Sequence, residues 1–215
     1  MALYIPARSV VPKPDKDDPL DYYYLPVTSL VYRARLEMAI KLLGGRKYNA
    51  LLEVGYGSGI LLPELARHSK RIVGLDLHPN PEAVYKMLAH EKVKAELHQG
   101  SLFEMPFNDG EFDALICLSV LEHLTELDKA LTEFARVTKP GATLVLAFPV
   151  RNLVTDAFFR LVGYDPRAIH PSGHRDIERA ILRHPDLMLD QKAIFPWPLP
   201  ADVALYYACR CHKVA

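Results

Sequence analysis

The sequence predicts an α/β fold: a doubly wound, mostly parallel sheet with helices on both faces. Three observations carry this. Residues 50–54 form a short apolar run, followed by Gly55, Gly57 and Gly59 on alternate positions and then by Ile60, Leu61, Leu62, Leu65 and Ala66 at helical spacing. That stretch reads strand, tight loop, helix. Residues 112–118 are almost continuously apolar, as expected of a parallel strand buried on both faces. Between these landmarks, and up to residue 148, strand-like and helix-like patterns alternate, which is the signature of parallel crossover units.

Taken in order, residues 1–27 form an arm. Pro12, Pro14 and Pro19 with Asp15, Asp17 and Asp18 argue against regular structure there. Tyr22, Tyr23 and Tyr24 are unusual in a solvated arm, and two readings stand: a lid folded back over a pocket, or a cover for exposed core. A single domain then runs from residue 28 to residue 215. Its first helix starts near Thr28, carries an apolar stripe of Leu36, Ala39, Ile40 and Leu43, and ends at Gly44-Gly45. After the first strand, Pro63 falls in the first turn of the next helix, where its missing N–H is not needed.

A second strand over 71–77 carries Asp76 near its end, and a helix opened by Pro79 and Pro81 follows, striped by Val84, Met87 and Leu88. Strands are predicted over 93–98 and 112–118. Thr125, with Asp128 three residues on, reads as a helix start, and Leu127, Leu131, Phe134 and Ala135 as that helix's buried face. Lys139-Pro140-Gly141 reads as a turn before a strand over 142–148. Beyond it, 152–164 is apolar, aromatic and predicted helical, and 172–184 is a polar helix carrying Ile177, Ala180 and Ile181. Residues 187–195 and 203–213 read as strands around the stiff loop Pro196-Trp197-Pro198-Leu199-Pro200, so they should form an antiparallel hairpin closing one sheet edge.

Composition narrows the function. The chain has 215 residues, half of them apolar, and Lys plus Arg (26) balances Asp plus Glu (26), so no global charge favours nucleic acid or an anionic membrane. The cluster Arg67, His68, Lys70 and Arg71 reads as the solvated end of a helix and its loop. The apolar runs 114–121 and 142–150 are too short to span a bilayer. The start Met1-Ala2-Leu3-Tyr4-Ile5-Pro6 lacks the pattern of a secretory signal, and three cysteines make no disulfide framework, so a soluble cytoplasmic protein is expected. Cys209-Arg210-Cys211-His212 has a spacing that strand alternation explains as well as metal ligation, and no metal is expected.

The first loop separates two kinds of nucleotide chemistry. A dinucleotide fingerprint needs its third glycine where this chain has Ile60, and it holds a pyrophosphate. Glu53, two residues before Gly55, would repel a pyrophosphate but suits a ligand carrying an ammonium group. This argues against a nicotinamide-dependent oxidoreductase. Asp76 lies 21 residues after Gly55, where an acid at the end of the second strand accepts hydrogen bonds from ribose hydroxyls.

From residue 49 to about 150 the chain resembles the class I S-adenosylmethionine-dependent methyltransferases, in particular the group that includes the ubiquinone and menaquinone methylases. The resemblance rests on Glu53-Val54-Gly55-Tyr56-Gly57-Ser58-Gly59, Gly74-Leu75-Asp76, Gly100-Ser101 before Met105-Pro106-Phe107, the strand into Leu121-Glu122-His123, and Arg136 to Gly141. It implies a Rossmann-like sheet of seven strands with the last antiparallel, and S-adenosylmethionine as cofactor. It implies that Gly55, Gly57 and Gly59 pass under the methionine moiety and ribose, and that Glu53 fixes the loop and the ammonium. Asp76 would bind the ribose, Leu77 would lie against the adenine, Ser101 and Leu102 would line the adenine pocket, and backbone at Leu118 and Ser119 would meet the methionyl amine.

Two residues depart from the family pattern. Tyr56 replaces a small residue inside the loop, so its bulk is expected to point outward or toward substrate. Ser101 stands where an acid often meets the adenine amine. The remaining expectations concern the acceptor, a small molecule. His123, a few residues after the fourth strand, is the best placed group to act as base or to orient the acceptor. Glu122 beside it is a weaker candidate, because adjacent helical residues point in different directions. Tyr24, His170 and His174 are further acceptor-side residues, and 150–185 is the substrate-side segment. A regulatory protein that binds the same cofactor without turnover would keep the loop and lack an acceptor cavity.

Overall fold

The computed structural model describes residues 3–13, 18–152, 155–156 and 170–214. Its sheet has seven strands in the order β3-β2-β1-β4-β5-β7-β6. In chain order the elements are α1 (Thr28–Leu43), β1 (Tyr48–Val54), α2 (Leu62–His68), β2 (Ser69–Asp76), α3 (Pro81–His90), β3 (Glu96–Gln99), β4 (Phe112–Leu118), α4 (Leu127–Val137), β5 (Thr138–Pro149), α5 (His174–Arg183), β6 (Leu187–Phe195) and β7 (Tyr206–Lys213), with 3₁₀ turns at Leu20–Tyr23, Leu121–His123 and Ala201–Val203. β1, β2, β3, β4 and β5 pair in parallel; β7 runs antiparallel to both β5 and β6. The predicted doubly wound, mostly parallel sheet with its terminal antiparallel hairpin is therefore the fold observed.

The apolar runs read as they do because each central strand is buried on both faces. Leu52 and Val54 of β1, Leu115 and Cys117 of β4, and Leu144, Leu146 and Phe148 of β5 pack on the face covered by α4 and α5. Leu51, Ala114, Ile116, Val145 and Ala147 pack on the opposite face, against Leu36 and Leu42 of α1, Leu62 and Leu65 of α2, and Val84 and Met87 of α3. Strand alternation thus sends every second side chain into a different core. Pro63 sits in the first turn of α2, and Gly44, at φ 84°, terminates α1, both as the sequence requires.

Two local expectations are corrected. Lys139-Pro140-Gly141 belongs to β5 as an irregularity and makes no turn: Phe112 pairs with Thr138 and Ala114 with Thr143, so β5 carries extra residues opposite β4. Gly141 at φ 75° supplies the conformation such a bulge needs. The helix signalled by Thr125 begins only at Leu127: Leu124, after the 3₁₀ turn, is extended, and the N-cap is Glu126, which makes no side-chain cap hydrogen bond. The basic cluster lies at the end of α2 with Arg67 and Lys70 exposed, as expected, and is paired as well: Arg67 and His68 bond the buried Glu64 at 2.9 and 3.1 Å, and Arg71 bonds Glu96 and Glu111. Lys70 bonds Asn49 at 2.9 Å. The helix expected over 152–164 falls mostly outside the described residues. Cys209 and Cys211 share one buried face of β7, while His212 meets Asp190 at 3.3 Å, so alternation along the strand accounts for that motif. No helix among the described residues is long and apolar enough to cross a membrane.

Candidate active site

Strand order reverses between β1 and β4, and in open α/β sheets this is where ligands bind, outside the carboxyl ends of the strands. Both strands end in a cleft of about 410 Å³ that passes over the glycine loop, and a second hollow of about 220 Å³ lies on the other side of Gly55. Glu53, Gly55, Tyr56, Gly57, Asp76, Leu118, Ser119 and His123 line the first, and Leu77, Leu102 and again Asp76 and Ser119 line the second. Gly55, at φ 77°, has Val120 Cγ2 only 2.3 Å from where a Cβ would stand, so no other residue fits.

The loop is clamped to the end of β2. Asp76 Oδ2 accepts from Gly57 N–H at 2.7 Å and its Oδ1 from His78 N–H at 3.1 Å, while His78 Nε2 lies 2.9 Å from the Gly57 carbonyl. α2 starts at Leu62, so the loop rather than a helix N-terminus faces the cleft. Glu53 is buried, and its Oε2 has no hydrogen-bond partner. Burial, and then the nearby Asp76 charge, push its carboxyl well above the ordinary range.

The cleft also holds a cation. Arg35 of α1 donates from Nη1 to Ser119 Oγ at 3.1 Å and from Nε to the Tyr23 hydroxyl at 3.1 Å. Its guanidinium lies over the rings of Tyr32, Tyr23 and Tyr206 at 4.6, 5.0 and 5.8 Å. Ser119 also shares a 2.8 Å hydrogen bond with the Tyr206 hydroxyl and holds a φ of 56°, a strained backbone position for a residue with a side chain. A buried carboxyl and a guanidinium therefore face the same cleft, a pairing suited to a ligand with both an ammonium and a carboxylate.

A methyltransferase domain model matches residues 52–146. The ubiquinone biosynthesis O-methyltransferase of Dechloromonas aromatica is 32% identical over 148 residues, which make up 68% of this chain and 62% of that protein. The chain carries a class I S-adenosylmethionine-dependent methyltransferase domain. The enzyme of the same description from Alkalilimnicola ehrlichii is 30% identical over 68% of this chain and 60% of its own length, so the chain spans less than two thirds of these curated relatives. Among solved structures, the N-methyltransferase NodS from Bradyrhizobium japonicum, in complex with S-adenosylhomocysteine, superposes with a TM-score of 0.68 at 20% identity, covering 96% of this chain and 97% of that one. The [4+2]-cyclase SpnF reaches the same TM-score at 16% identity over 86% of this chain and 82% of its own, so fold alone does not fix the reaction.

Within this methyltransferase domain the expected residues divide. Glu53, Gly55, Gly57, Asp76, Leu77, Leu102, Leu118, Ser119 and His123 come together around the cleft and its neighbouring hollow. Gly59 does not: it faces α3, where Val84 Cγ1 would lie 2.5 Å from its Cβ. Tyr56 does not point outward, one of its two expected directions; it is buried at the border of the cleft. Its ring fills the space above Gly74 and meets His78 edge-on at 4.9 Å, and only part of it borders the cleft. Ser101 uses its hydroxyl to accept from Phe103 N–H at 3.2 Å and lines neither cavity.

The acceptor-side expectations also divide. Tyr24 bonds the Pro6 carbonyl at 2.8 Å, and of the three arm tyrosines it is Tyr23 that lines the cleft. His174 is buried at the start of α5 and bonds Asp202 at 3.0 Å, away from the cleft. His170 does approach: its ring meets that of His123 at 4.9 Å. Burial, with smaller contributions from His123 and Arg151, pulls its pKa down to about 4. Glu122 is buried on the same turn as His123, and burial pushes its carboxyl up to about 8. Sequence reasoning missed Arg35 and His78. Arg35 carried a signal, since a charged residue inside the apolar stripe of α1, between Tyr32 and Ala39, calls for a buried partner.

Proposed function

We propose that the protein is a cytoplasmic S-adenosylmethionine-dependent methyltransferase acting on a small-molecule acceptor. The observation that carries this reading is the pairing of Glu53, with its unpartnered buried oxygen, and Arg35 across one glycine-floored cleft. Glu53 would take the ammonium of the methionyl group and Arg35 its carboxylate, while Asp76 would meet the ribose and Leu77 and Leu102 the adenine. When bound, S-adenosylmethionine supplies a methyl group already activated by the sulfonium. The chain's own part is then to align the acceptor and exclude water. His123, exposed at the edge of the cleft, is placed to orient the acceptor or take its proton. The neutral overall charge fits a small acceptor better than a nucleic acid.

Calorimetric titration tests the reading. S-adenosylhomocysteine is expected to bind with one site per chain and NADH not to bind; tighter binding of NADH would overturn it. Turnover against a panel of hydroxyl and amine acceptors then separates an enzyme from a protein that only binds the cofactor. With an acceptor in hand, His123→Gln is expected to lower turnover about 100-fold or more while leaving S-adenosylhomocysteine affinity unchanged.

The arm fits a lid. Asp18, Pro19 and Tyr23 border the cleft, and the Asp18 carboxylate lies over the loop, its Oδ2 3.3 Å from the position of a Gly57 Cβ. Hydrogen exchange is expected to show added protection over residues 18–24 when S-adenosylhomocysteine is present. Equal exchange in both states would reduce the tyrosines to packing residues.

A further inference from the structure

The turn Leu121–His123 and the segment just before α5 bring together three metal-ligating side chains that the cofactor reading does not use. One ligand atom each from Glu122, His123 and His170 lies within 4.8 Å of the other two. Glu122 Oε1 stands 3.9 Å from His123 Nε2, and the His123 and His170 rings meet edge to face. The Glu122 side chain exposes 2% of its surface, and its Oε2 is buried with no hydrogen-bond partner. A buried carboxylate oxygen without a partner is costly, so its persistence points to a ligand.

The two halves of the cluster are fixed to one another. Ser172 donates from its backbone N–H to the Glu122 carbonyl at 3.2 Å and from its hydroxyl to the Leu124 carbonyl at 2.5 Å. Arg151 Nη1 donates to the His170 carbonyl at 2.9 Å. His170 is thereby held over the turn that carries Glu122 and His123, although it is far from them in sequence.

We propose that Glu122, His123 and His170 bind a divalent transition-metal ion, with Zn²⁺ the best matched, at the acceptor side of the cleft. Two imidazoles and one carboxylate suit zinc and its neighbours and do not suit calcium or magnesium, which want oxygen cages. Ligand atoms around such an ion stand about 3–3.5 Å apart, given bonds of about 2.0–2.2 Å. Binding would draw the three ligand atoms together from their present spacing of up to 4.8 Å, and the His123 side chain, 47% exposed, has room to move. Three protein ligands leave a coordination position open, as catalytic zinc sites do, and His123 itself lines the cleft, so an acceptor oxygen can reach it.

The use of the ion rests on the methyl-transfer reading; its binding does not. Coordination lowers the pKa of an acceptor hydroxyl. The O–H bond breaks, with the proton passing to solvent. The oxygen's electron pair forms the new bond to the methyl carbon, and the pair of the S–C bond stays on sulfur. In this arrangement His123 is a ligand and not the base.

The test uses the whole chain. After exposure to ZnCl₂ and dialysis, elemental analysis is expected to give one zinc per chain, and Co²⁺ in its place is expected to show visible d–d absorption of a nitrogen- and oxygen-ligated ion. Glu122→Gln and His170→Gln should each weaken Zn²⁺ binding at least about 100-fold and abolish the cobalt bands, while S-adenosylhomocysteine still binds within about threefold of wild type, which also shows that the variants fold. Cys209→Ala with Cys211→Ala should leave the metal content unchanged. No metal in the wild-type protein, or undiminished metal in either ligand variant, would overturn the site and return His123 to the role of base. Metal binding without S-adenosylhomocysteine binding would instead keep the site and overturn the methyltransferase reading.

Discussion

Gly59→Ala is expected to lower stability by about 2–4 kcal/mol. Gly59 sits at φ 72°, in the left-handed region, and a Cβ there would lie 2.5 Å from Val84 Cγ1 and 3.2 Å from both Leu62 Cδ1 and Met87 Cε. The backbone conformation alone costs a non-glycine residue about 1–2 kcal/mol. Val84 is fully buried in α3 and β-branched, so it cannot rotate away, and overpacking of this kind adds about 1–3 kcal/mol. A less flexible unfolded chain returns about 0.4–1 kcal/mol. Gly45→Ala is the control, because Gly45 has ordinary φ and nothing within 4 Å of a Cβ. Its urea midpoint should match wild type or exceed it. Equal midpoints for the two variants would show that the third glycine is not a packing requirement. The expected result assigns Gly59 to the seam between the loop and α3, leaving Gly55 and Gly57 to face a ligand.

The fold was legible because its central strands are buried on both sides. A strand such as β4 can only be a run of apolar residues, and the glycines and prolines between such runs have few other uses. Where the sequence misled, two local signals competed. Pro140-Gly141 is a turn dipeptide by composition, yet here it is accommodated within β5, because strand pairing to β4 resumes at Thr143 and holds the chain extended. Thr125 offers a capping hydroxyl, but the 3₁₀ turn through His123 sets where the backbone can begin to coil. Neither outcome is encoded within a few residues of the motif.

The site was legible only as far as its groups share one local segment. Glu53 to Gly57 and Asp76 could be found because each stands at a fixed offset from a strand end. The direction of Tyr56 could not, since what receives its ring is Gly74 on the neighbouring strand, and that meeting depends on the register of β1 against β2. Arg35 reaches Ser119 across 84 residues of sequence, and His170 meets His123 only after the chain has crossed β5. Tyr24 and Tyr23 differ by one position. The 3₁₀ turn at Leu20–Tyr23 decides which of them enters the cleft.

Asp76→Ala is expected to weaken S-adenosylhomocysteine binding about 10–100-fold, the usual loss when a charge-assisted hydrogen bond is removed. The structure gives this residue two tasks. One carboxylate oxygen accepts the Gly57 N–H at 2.7 Å, and the other accepts the His78 N–H at 3.1 Å. A carboxylate has about four acceptor sites on its two oxygens, so Asp76 can hold the loop and still receive ribose hydroxyls. Alanine removes both functions. The substitution Asp76→Asn keeps one carbonyl oxygen that can accept from Gly57, so it preserves the loop and loses the charge and part of the capacity toward the ribose. The two variants therefore rank: alanine weakest, asparagine intermediate, wild type tightest, with adenosine affinity falling in parallel because it contains the same ribose. Urea unfolding of the ligand-free proteins separates the tasks, since Gly57 is partly open to water and the loss of a partner for its N–H should cost only about 0.5–1.5 kcal/mol. Full recovery of S-adenosylhomocysteine affinity in Asp76→Asn would show that the carboxylate serves the loop alone, and an unchanged dissociation constant in Asp76→Ala would remove it from the binding site altogether.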